Sequence, residues 1–114
     1  MRNRNELTLR GNLGGDPEMF ETGKSKGCRL RLATNRTYTQ TVDGEEKQVK
    51  DTTWHPCTVW GEQAVKIAAN LKVGDEVQVQ GRVEIRRGTD QNKVEHDYYN
   101  VHVFEVQKVV DPSR

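Results

Sequence analysis

The chain has 114 residues, 32% of them hydrophobic and 31% charged, which fits one domain with a small core and leaves no apolar run of bilayer-spanning length. Its net charge of +1 hides a basic first third, because residues 1–36 carry eight Lys or Arg against four Asp or Glu. Two cysteines and no apolar leader exclude a disulfide-rich secreted class, so we expect a cytoplasmic protein with reduced thiols.

The first half of the chain alternates apolar and polar residues, as half-buried strands do. "ELTLRGNL" (6–13) and "CRLRLAT" (28–34) each place their apolar side chains on one face, and "GGDP" (14–17) ends the first run. Asp43-Gly44 is a two-residue hairpin signal. Few apolar residues flank it, so we expect this hairpin to project beyond the core.

The next run, "DTTWHPCTVWGEQA" (51–64), contains both tryptophans of the chain. Read as a strand, it turns Cys57 and Val59 inward and places Trp54 and Trp60 on the opposite face, about 20 Å apart at roughly 3.3 Å per residue. Pro56 cannot donate to a ladder, which predicts an edge or a bulge. The two rings either cover a helix or subunit interface or offer stacking faces to nucleobases. We favour stacking, because so polar a chain does not need two indoles outside its core.

One segment has a helical period. In "GEQAVKIAANLK" (61–72) the apolar stripe consists of Ala64, Ile67, Ala68 and Leu71. Alternation then returns in "VQVQGRVEIRR" (77–87) and in "YYNVHVFEVQKVV" (98–110), where it slips near Phe104 and predicts a bulge. The connecting residues, 86–97, are predicted to form a mobile loop.

This order of elements predicts the fold. Three strands, a short helix and two more strands indicate an all-β, five-stranded Greek-key barrel with the helix between strands 3 and 4, which is the OB-fold. We expect one domain over residues 1–110 and a short disordered end at 111–114.

A binding surface requires cations beside the exposed rings. Tyr38, just before the hairpin, becomes a third exposed ring if its strand leaves the barrel. Basic residues lie near each ring along the chain, which favours a surface where bases stack and phosphates are neutralised. The candidate cations are Arg36, Lys50, Lys72, Arg86 and Arg87.

Several segments resemble bacterial single-stranded DNA-binding proteins (SSB). "NELTLRGNLGGDPE" is similar to that family's opening, "LRLATNRTY" to its next stretch, and "TTWHPCTVWGEQAVKIAANLKVGDEVQVQGRVEIRRGTDQ" to its central block. The resemblance covers residues 5 to 109 in order and is carried mainly by the "GNLGGDPE" and "WH…WG" segments.

The resemblance implies an OB-fold that assembles as a homotetramer, or as a dimer, and binds single-stranded DNA without sequence preference in replication, recombination or repair. It places Tyr38, Trp54 and Trp60 at stacking positions and His55 at a subunit contact. Gly88 stands where the family has a further aromatic residue, and Pro56 where it often has Arg. Since "KVVDPSR" shows no acidic tip, recruitment of replication or repair proteins is not carried over.

Other chemistry finds little support in the sequence. His55 and Cys57 form an isolated pair without a second metal-ligand motif, so we expect neither a metal nor another cofactor. No nucleophile elbow or complete phosphate-binding loop occurs, and we expect no enzymatic activity. The alternative hypothesis is an adaptor resembling primosomal replication protein N, in which the rings would serve protein contacts.

Overall fold

The structure is a computed structural model that describes residues 3–110, with six strands and one helix. The elements are β1 (Leu7–Leu13), β2 (Glu18–Thr22), β3 (Ser25–Val42), β4 (Glu45–Trp60), α1 (Glu62–Asn70), β5 (Glu76–Thr89) and β6 (Glu95–Lys108). The predicted disordered end, residues 111–114, lies outside the described residues. No helix within residues 3–110 is long and apolar enough to cross a membrane.

The strands form one sheet that closes on itself. Their order is β1-β5-β6-β4-β3-β2, and β1 also pairs with β3. Neighbouring strands run antiparallel except β4 and β6, which run parallel over Cys57–Val59 and Val101–Val103. A closed barrel with one short helix between the two halves of the sheet is the predicted architecture.

The strand count differs from the prediction of five. The additional strand, β2, pairs with the start of β3 across a turn at Gly23, which has a φ of 52°. Only Phe20 in this strand is partly buried, so its sequence carries almost no alternation of hydrophobicity. Because β2 precedes β3, the helix lies between the fourth and fifth strands rather than the third and fourth.

The core contains the side chains that alternation turns inward. Its fully buried members are Leu30, Leu32, Val77, Val79, Val101, Cys28 and Cys57. The predicted helical stripe is confirmed, since Ala64 and Leu71 are buried and Ile67 and Ala68 pack against the same cluster. Burial in this apolar interior raises the pKa of the Cys57 thiol to about 12, so both cysteines are neutral core residues.

Two long hairpins extend from the barrel. The β3–β4 arm (residues 34–53) is exposed along its length and turns at Asp43 and Gly44, with φ of 53° and 79°, which confirms the predicted projecting hairpin. The β5–β6 arm (residues 84–100) replaces the mobile loop predicted over 86–97. That prediction was wrong because the ladder continues to Thr89 and Glu95, across a turn in which Asp90 accepts hydrogen bonds from two backbone amides.

The predicted bulge is present in β6. Gln80 pairs with Glu105 and Gly81 with Val103, which leaves Phe104 without a partner residue. Phe104 faces outward with His102 and is 56% exposed, and the extra residue lets Val106 return to the core side of the strand.

Candidate nucleic-acid interface

The outer face of β4 displays both indoles. Trp54 is 47% exposed and Trp60 40%, whereas Cys57 and Val59 between them are buried. The alternation of the strand therefore places the rings outside the barrel, as the sequence predicted. Two half-exposed indoles on one sheet face form the start of a surface on which planar groups can stack.

Trp54 is held by two neighbours from other strands. The turn after β1 brings Gly14 against the ring, so closely that a Cβ at Gly14 would overlap Cζ3 and Cη2 of the indole. The backbone N–H of Gly14 donates to the carbonyl of Arg31 at 2.9 Å, which fixes this approach. The guanidinium of Arg31 lies 4.8 Å from the Trp54 ring centroid. The indole is thus fixed in orientation beside a cation.

Trp60 has an aromatic partner. The Phe20 ring from β2 meets it edge to face at 5.0 Å between centroids. Phe20 in turn rests on Gly27, and the guanidinium of Arg29 lies 4.9 Å from its ring centroid. A second aromatic group with its own cation therefore forms at the other end of the strand.

A groove lies between the two aromatic groups. It is open to solvent, has a volume of about 450 Å³, and is lined by Arg29, Arg31, Pro56 and Thr58 together with acidic Asp16 and Glu18. Arg31 is directly opposite Pro56 in the β3–β4 register. Arg31 therefore supplies a cation from β3 beside Pro56, the position where the resembled family often has an arginine in β4. The groove can accept a phosphate backbone along its arginine side.

Phe20, Arg29 and Arg31 lie on this candidate surface, and the sequence alone did not single them out. The alternation in "CRLRLAT" did place both arginines outward. The two-residue turn predicted at Asp43-Gly44 also aligns Arg31 with Pro56, which brings Arg31 near Trp54 although they are 23 positions apart. Nothing in the sequence indicates that β2 pairs with β3 and brings Phe20 to Arg29, because β2 carries almost no alternation.

Tyr38 lies on the β3–β4 arm, away from the indoles. It shares a pleat face with Leu30 and Leu32, but its strand has left the barrel, so the ring is 36% exposed. Arg36 lies 4.8 Å from the Tyr38 ring centroid and 3.6 Å from the carboxylate of Asp51. Lys50 is exposed on the neighbouring strand, opposite Thr37, so it lies on the other pleat face from Tyr38 and Arg36. Tyr38 and Arg36 therefore form a smaller aromatic and basic group on the arm, without Lys50.

The other predicted cations are scattered. Lys72 is exposed in the turn after α1, and that turn is joined to the turn after β1 by the hydrogen bond from Val73 N–H to Asp16. Arg86 lies opposite Tyr98 on the outer face of the β5–β6 arm. Arg87 points to the opposite face and lies within ion-pair distance of Glu95 and Asp97. The structure does not bring Arg86 and Arg87 to one surface.

His55 faces the inner side, where the two arms separate. Its Nε2 lies 2.9 Å from the Thr34 hydroxyl and its Nδ1 lies 3.1 Å from the Tyr99 hydroxyl. Partial burial disfavours the charged imidazolium and lowers the pKa of His55 below its usual 6.5. The ring is a neutral link between β3, β4 and β6.

Among the described residues, no three His, Cys, Asp or Glu side chains form a group that could hold a metal ion.

Comparison with known proteins identifies the family and the fold. The model of the Single-strand binding protein family matches residues 4–109 of the chain. Among solved structures, the fold is similar to that of the Plasmodium falciparum SSB in its complex with ssDNA, with a TM-score of 0.82 and 22% identity. The match covers 96% of this chain and 98% of that one. This likeness confirms the predicted OB-fold.

Proposed function

Because the chain belongs to the single-strand binding protein family, we propose that it binds single-stranded DNA, irrespective of sequence, along the outer face of β2, β3 and β4. The observation that carries this proposal is the pair of half-exposed indoles with Arg29 and Arg31 in the groove between them. Every nucleobase has a π face, so stacking on Trp54 and Trp60 does not depend on base identity. The role is binding and protection, without a chemical step.

Arg29 and Arg31 can each contact either an aromatic ring of the protein or a phosphate of the DNA. In the free protein the guanidinium of Arg31 lies over the Trp54 ring, a contact worth about 0.5–1 kcal/mol at an exposed site. A stacked base contributes about 1–3 kcal/mol, and a phosphate offers the displaced guanidinium a charged partner. The base therefore takes the ring face, and Arg31 is free to contact the backbone phosphate. Arg29 over Phe20 behaves in the same way.

The β3–β4 arm contributes to binding on both of its faces in this proposal. Tyr38 supplies a further ring with Arg36 beside it, on the pleat face opposite the indoles, and Lys50 lies on the same face as the indoles. Lys72 and Arg86 are exposed cations at the margins, and Arg87 contributes least because two carboxylates already lie near its charge. Each phosphate contact adds to the salt dependence of binding.

The test is a fluorescence titration with poly(dT). Trp54→Phe and Trp60→Phe leave one indole each as reporter and keep a stacking ring, so emission should quench in both variants. Trp54→Ala and Trp60→Ala should each lose about 1–3 kcal/mol of binding free energy. Val65→Ala, an exposed apolar position on α1, is the control. Absence of quenching at low salt with folded protein would show that the indoles do not meet the DNA.

We propose further that the chain assembles, as a homotetramer or as a dimer, through the inner face next to His55. Support comes from Tyr99, which contacts His55, and from Ile85, its cross-strand partner, which is 64% exposed. Light scattering of the protein alone and with oligo(dT) of graded lengths measures the assembly state. A monomer at all concentrations contradicts this part of the proposal.

No observation favours the adaptor hypothesis over DNA binding. Replication, recombination and repair all expose single-stranded DNA in the cytoplasm, and we propose these as the processes the protein serves. A pull-down that retains a helicase after nuclease treatment would favour the adaptor instead.

A further inference from the structure

Tyr98 is an exposed ring that the surface described so far does not include. It lies on the β5–β6 arm, is 50% exposed, and is opposite Arg86 in the ladder. Its pleat face is that of Asn100 and His102, which is the outer face of the barrel because Val101 and Val103 point inward. Tyr98 therefore faces the same side of the sheet as Trp54 and Trp60.

The parallel register of β4 and β6 relates Tyr98 to Trp54. Cys57 pairs with Val101, and three residues earlier on each strand lie Trp54 and Tyr98. The strands remain aligned beyond their last paired residues, because His55 and Tyr99, two residues earlier on each strand, touch through the ring nitrogen and the hydroxyl at 3.1 Å. The next residues out project to the opposite, outer face. Trp54 and Tyr98 thus lie on the two sides of the cleft that opens between the arms.

The Tyr98 ring packs against a glycine, as the Trp54 ring does. Its ring lies against Gly88 on the neighbouring strand, and a Cβ there would come within 2.9 Å of Tyr98 Cε2. Trp54 rests on Gly14 and Phe20 on Gly27 in the same manner. A ring laid over glycine also shields the exposed backbone, which explains the pairing structurally. The other side of the Tyr98 ring is exposed to solvent.

The cleft supplies what a polynucleotide would contact between the two rings. The groove beside Trp54 extends to Asn100, whose Oδ1 accepts a hydrogen bond from Thr58 at 3.0 Å. On the far side, Arg86 is well exposed, and its one ion-pair contact within residues 3–110 is with Glu84 at 3.9 Å. Polar groups, a cation and a planar ring therefore continue from the indole groove onto the second arm.

We infer that Tyr98 is an additional base-stacking platform, and that single-stranded DNA leaving Trp54 crosses the cleft between the arms and stacks there, with Arg86 beside its phosphate. This inference rests on the proposed function of the outer face. It assigns the β5–β6 arm a part in binding longer strands. Short oligonucleotides are bound by Trp54, Trp60 and the groove between them alone.

The experiment compares Tyr98→Ala, Tyr98→Leu, Tyr98→Phe and Gly88→Val with wild type, using oligo(dT) from roughly 4 to 16 nucleotides and a longer series. Tyr98→Leu keeps an apolar cover on Gly88 without a stacking face, and Tyr98→Phe keeps the aromatic face without the hydroxyl. Gly88→Val puts γ-carbons where the ring lies and displaces it without removing it. Val94→Ala, an exposed apolar residue in the turn of the same arm, is the control.

We expect Tyr98→Ala, Tyr98→Leu and Gly88→Val to bind the longer oligonucleotides about 5- to 150-fold more weakly, as loss of one stacked base implies, and to occlude a shorter length. All variants should bind the shortest oligonucleotides as wild type does. Tyr98→Phe and Val94→Ala should match wild type at every length. A photo-crosslink from 5-iodouracil oligonucleotide to Tyr98 reports the contact directly.

The outcomes separate the two claims. Suppose that wild type binds and its fluorescence is quenched, but Tyr98→Leu and Gly88→Val bind every length as wild type does and no crosslink forms at Tyr98. The stacking platform at Tyr98 is then overturned, and the proposed binding at Trp54 and Trp60 stands. If wild type binds no oligonucleotide, the proposed function fails and the platform fails with it. Loss of binding at the shortest lengths in folded Tyr98→Leu would also overturn the assignment to longer strands.

Discussion

At the scale of single residues, the surface depends on glycines as much as on rings. Trp54, Phe20 and Tyr98 each lie against a glycine of a neighbouring segment, and the absence of a Cβ at each glycine leaves the space that the ring occupies. A ring held in this way loses little conformational freedom when a base stacks on it, so less binding energy is spent on ordering it.

Gly14 provides a direct test of this role. Gly14→Ala places a methyl group where the Trp54 ring lies, so we expect the indole to tilt and binding of oligo(dT) to weaken by about 1 kcal/mol or more. Titration of folded protein measures the effect. Gly15→Ala is the matched control, because a Cβ there would have no heavy atom within 4 Å from the described residues other than its two chain neighbours. Equal affinity of the two variants would show that the Gly14 seat does not position Trp54 for binding.

At the scale of elements, closure of the barrel depends on two close backbone approaches. β1 pairs with β5 through residue 12 and with β3 at residues 12 and 13, so it bends from one strand to the other. At this bend a Cβ on Gly11 would overlap the carbonyl of Ala33. In β5, a Cβ on Gly81 would overlap the carbonyl of His102 beside the bulge. Neither obstacle is a flexible side chain, so neither can move aside easily.

Gly81→Ala should therefore destabilise the fold strongly. Overpacking against backbone costs about 3 kcal/mol, which lowers the thermal midpoint of a domain this size by roughly 10 °C or more. Urea and thermal unfolding measure both quantities. Gln80→Ala changes an exposed neighbour at the same bulge and should stay within about 0.5 kcal/mol of wild type. A Gly81→Ala protein as stable as Gln80→Ala would mean that the bulge relaxes without cost.

At the scale of the whole molecule, the barrel is small and the arms are long. The radius of gyration is 17.2 Å, compared with roughly 13 Å for a compact domain of this length. The difference reflects the two long hairpins that extend beyond the barrel. His55, between Thr34 and Tyr99, lies where they separate and links three strands.

His55 should make global stability depend on pH. Its folded pKa lies below the unfolded value, so its contribution is present above about pH 6.5 and is lost as pH falls through the folded pKa. We expect the drop in thermal midpoint between about pH 7.5 and about pH 5 to be smaller in His55→Gln than in wild type. Carboxylates titrate in both proteins and cancel in the difference. Equal drops would show that the His55 ring is protonated without cost to the fold.

Local patterns determined a large part of this structure. Alternation of apolar and polar residues separated the inward faces from the outward ones, because each strand residue sees only core or solvent. It placed both indoles outside, as it placed the apolar stripe of α1 against the core. Asp43-Gly44 predicted the β3–β4 turn, since that pair adopts the positive φ angles the turn requires.

The tertiary structure decided which of these faces meet. Arg31 beside Trp54, Phe20 against Trp60, and Tyr98 across the cleft from Trp54 all join residues that are distant in the chain. The Asp43-Gly44 turn sets the register of β3 with β4 and so aligns Arg31 with Pro56, next to Trp54 in the outward row of β4. No local pattern places β2 against β3 or β6 beside β4. The sequence by itself therefore determined that rings and cations face outward and how β3 aligns with β4, and only the pairing of the more distant strands decided which ring has a glycine or a second ring against it.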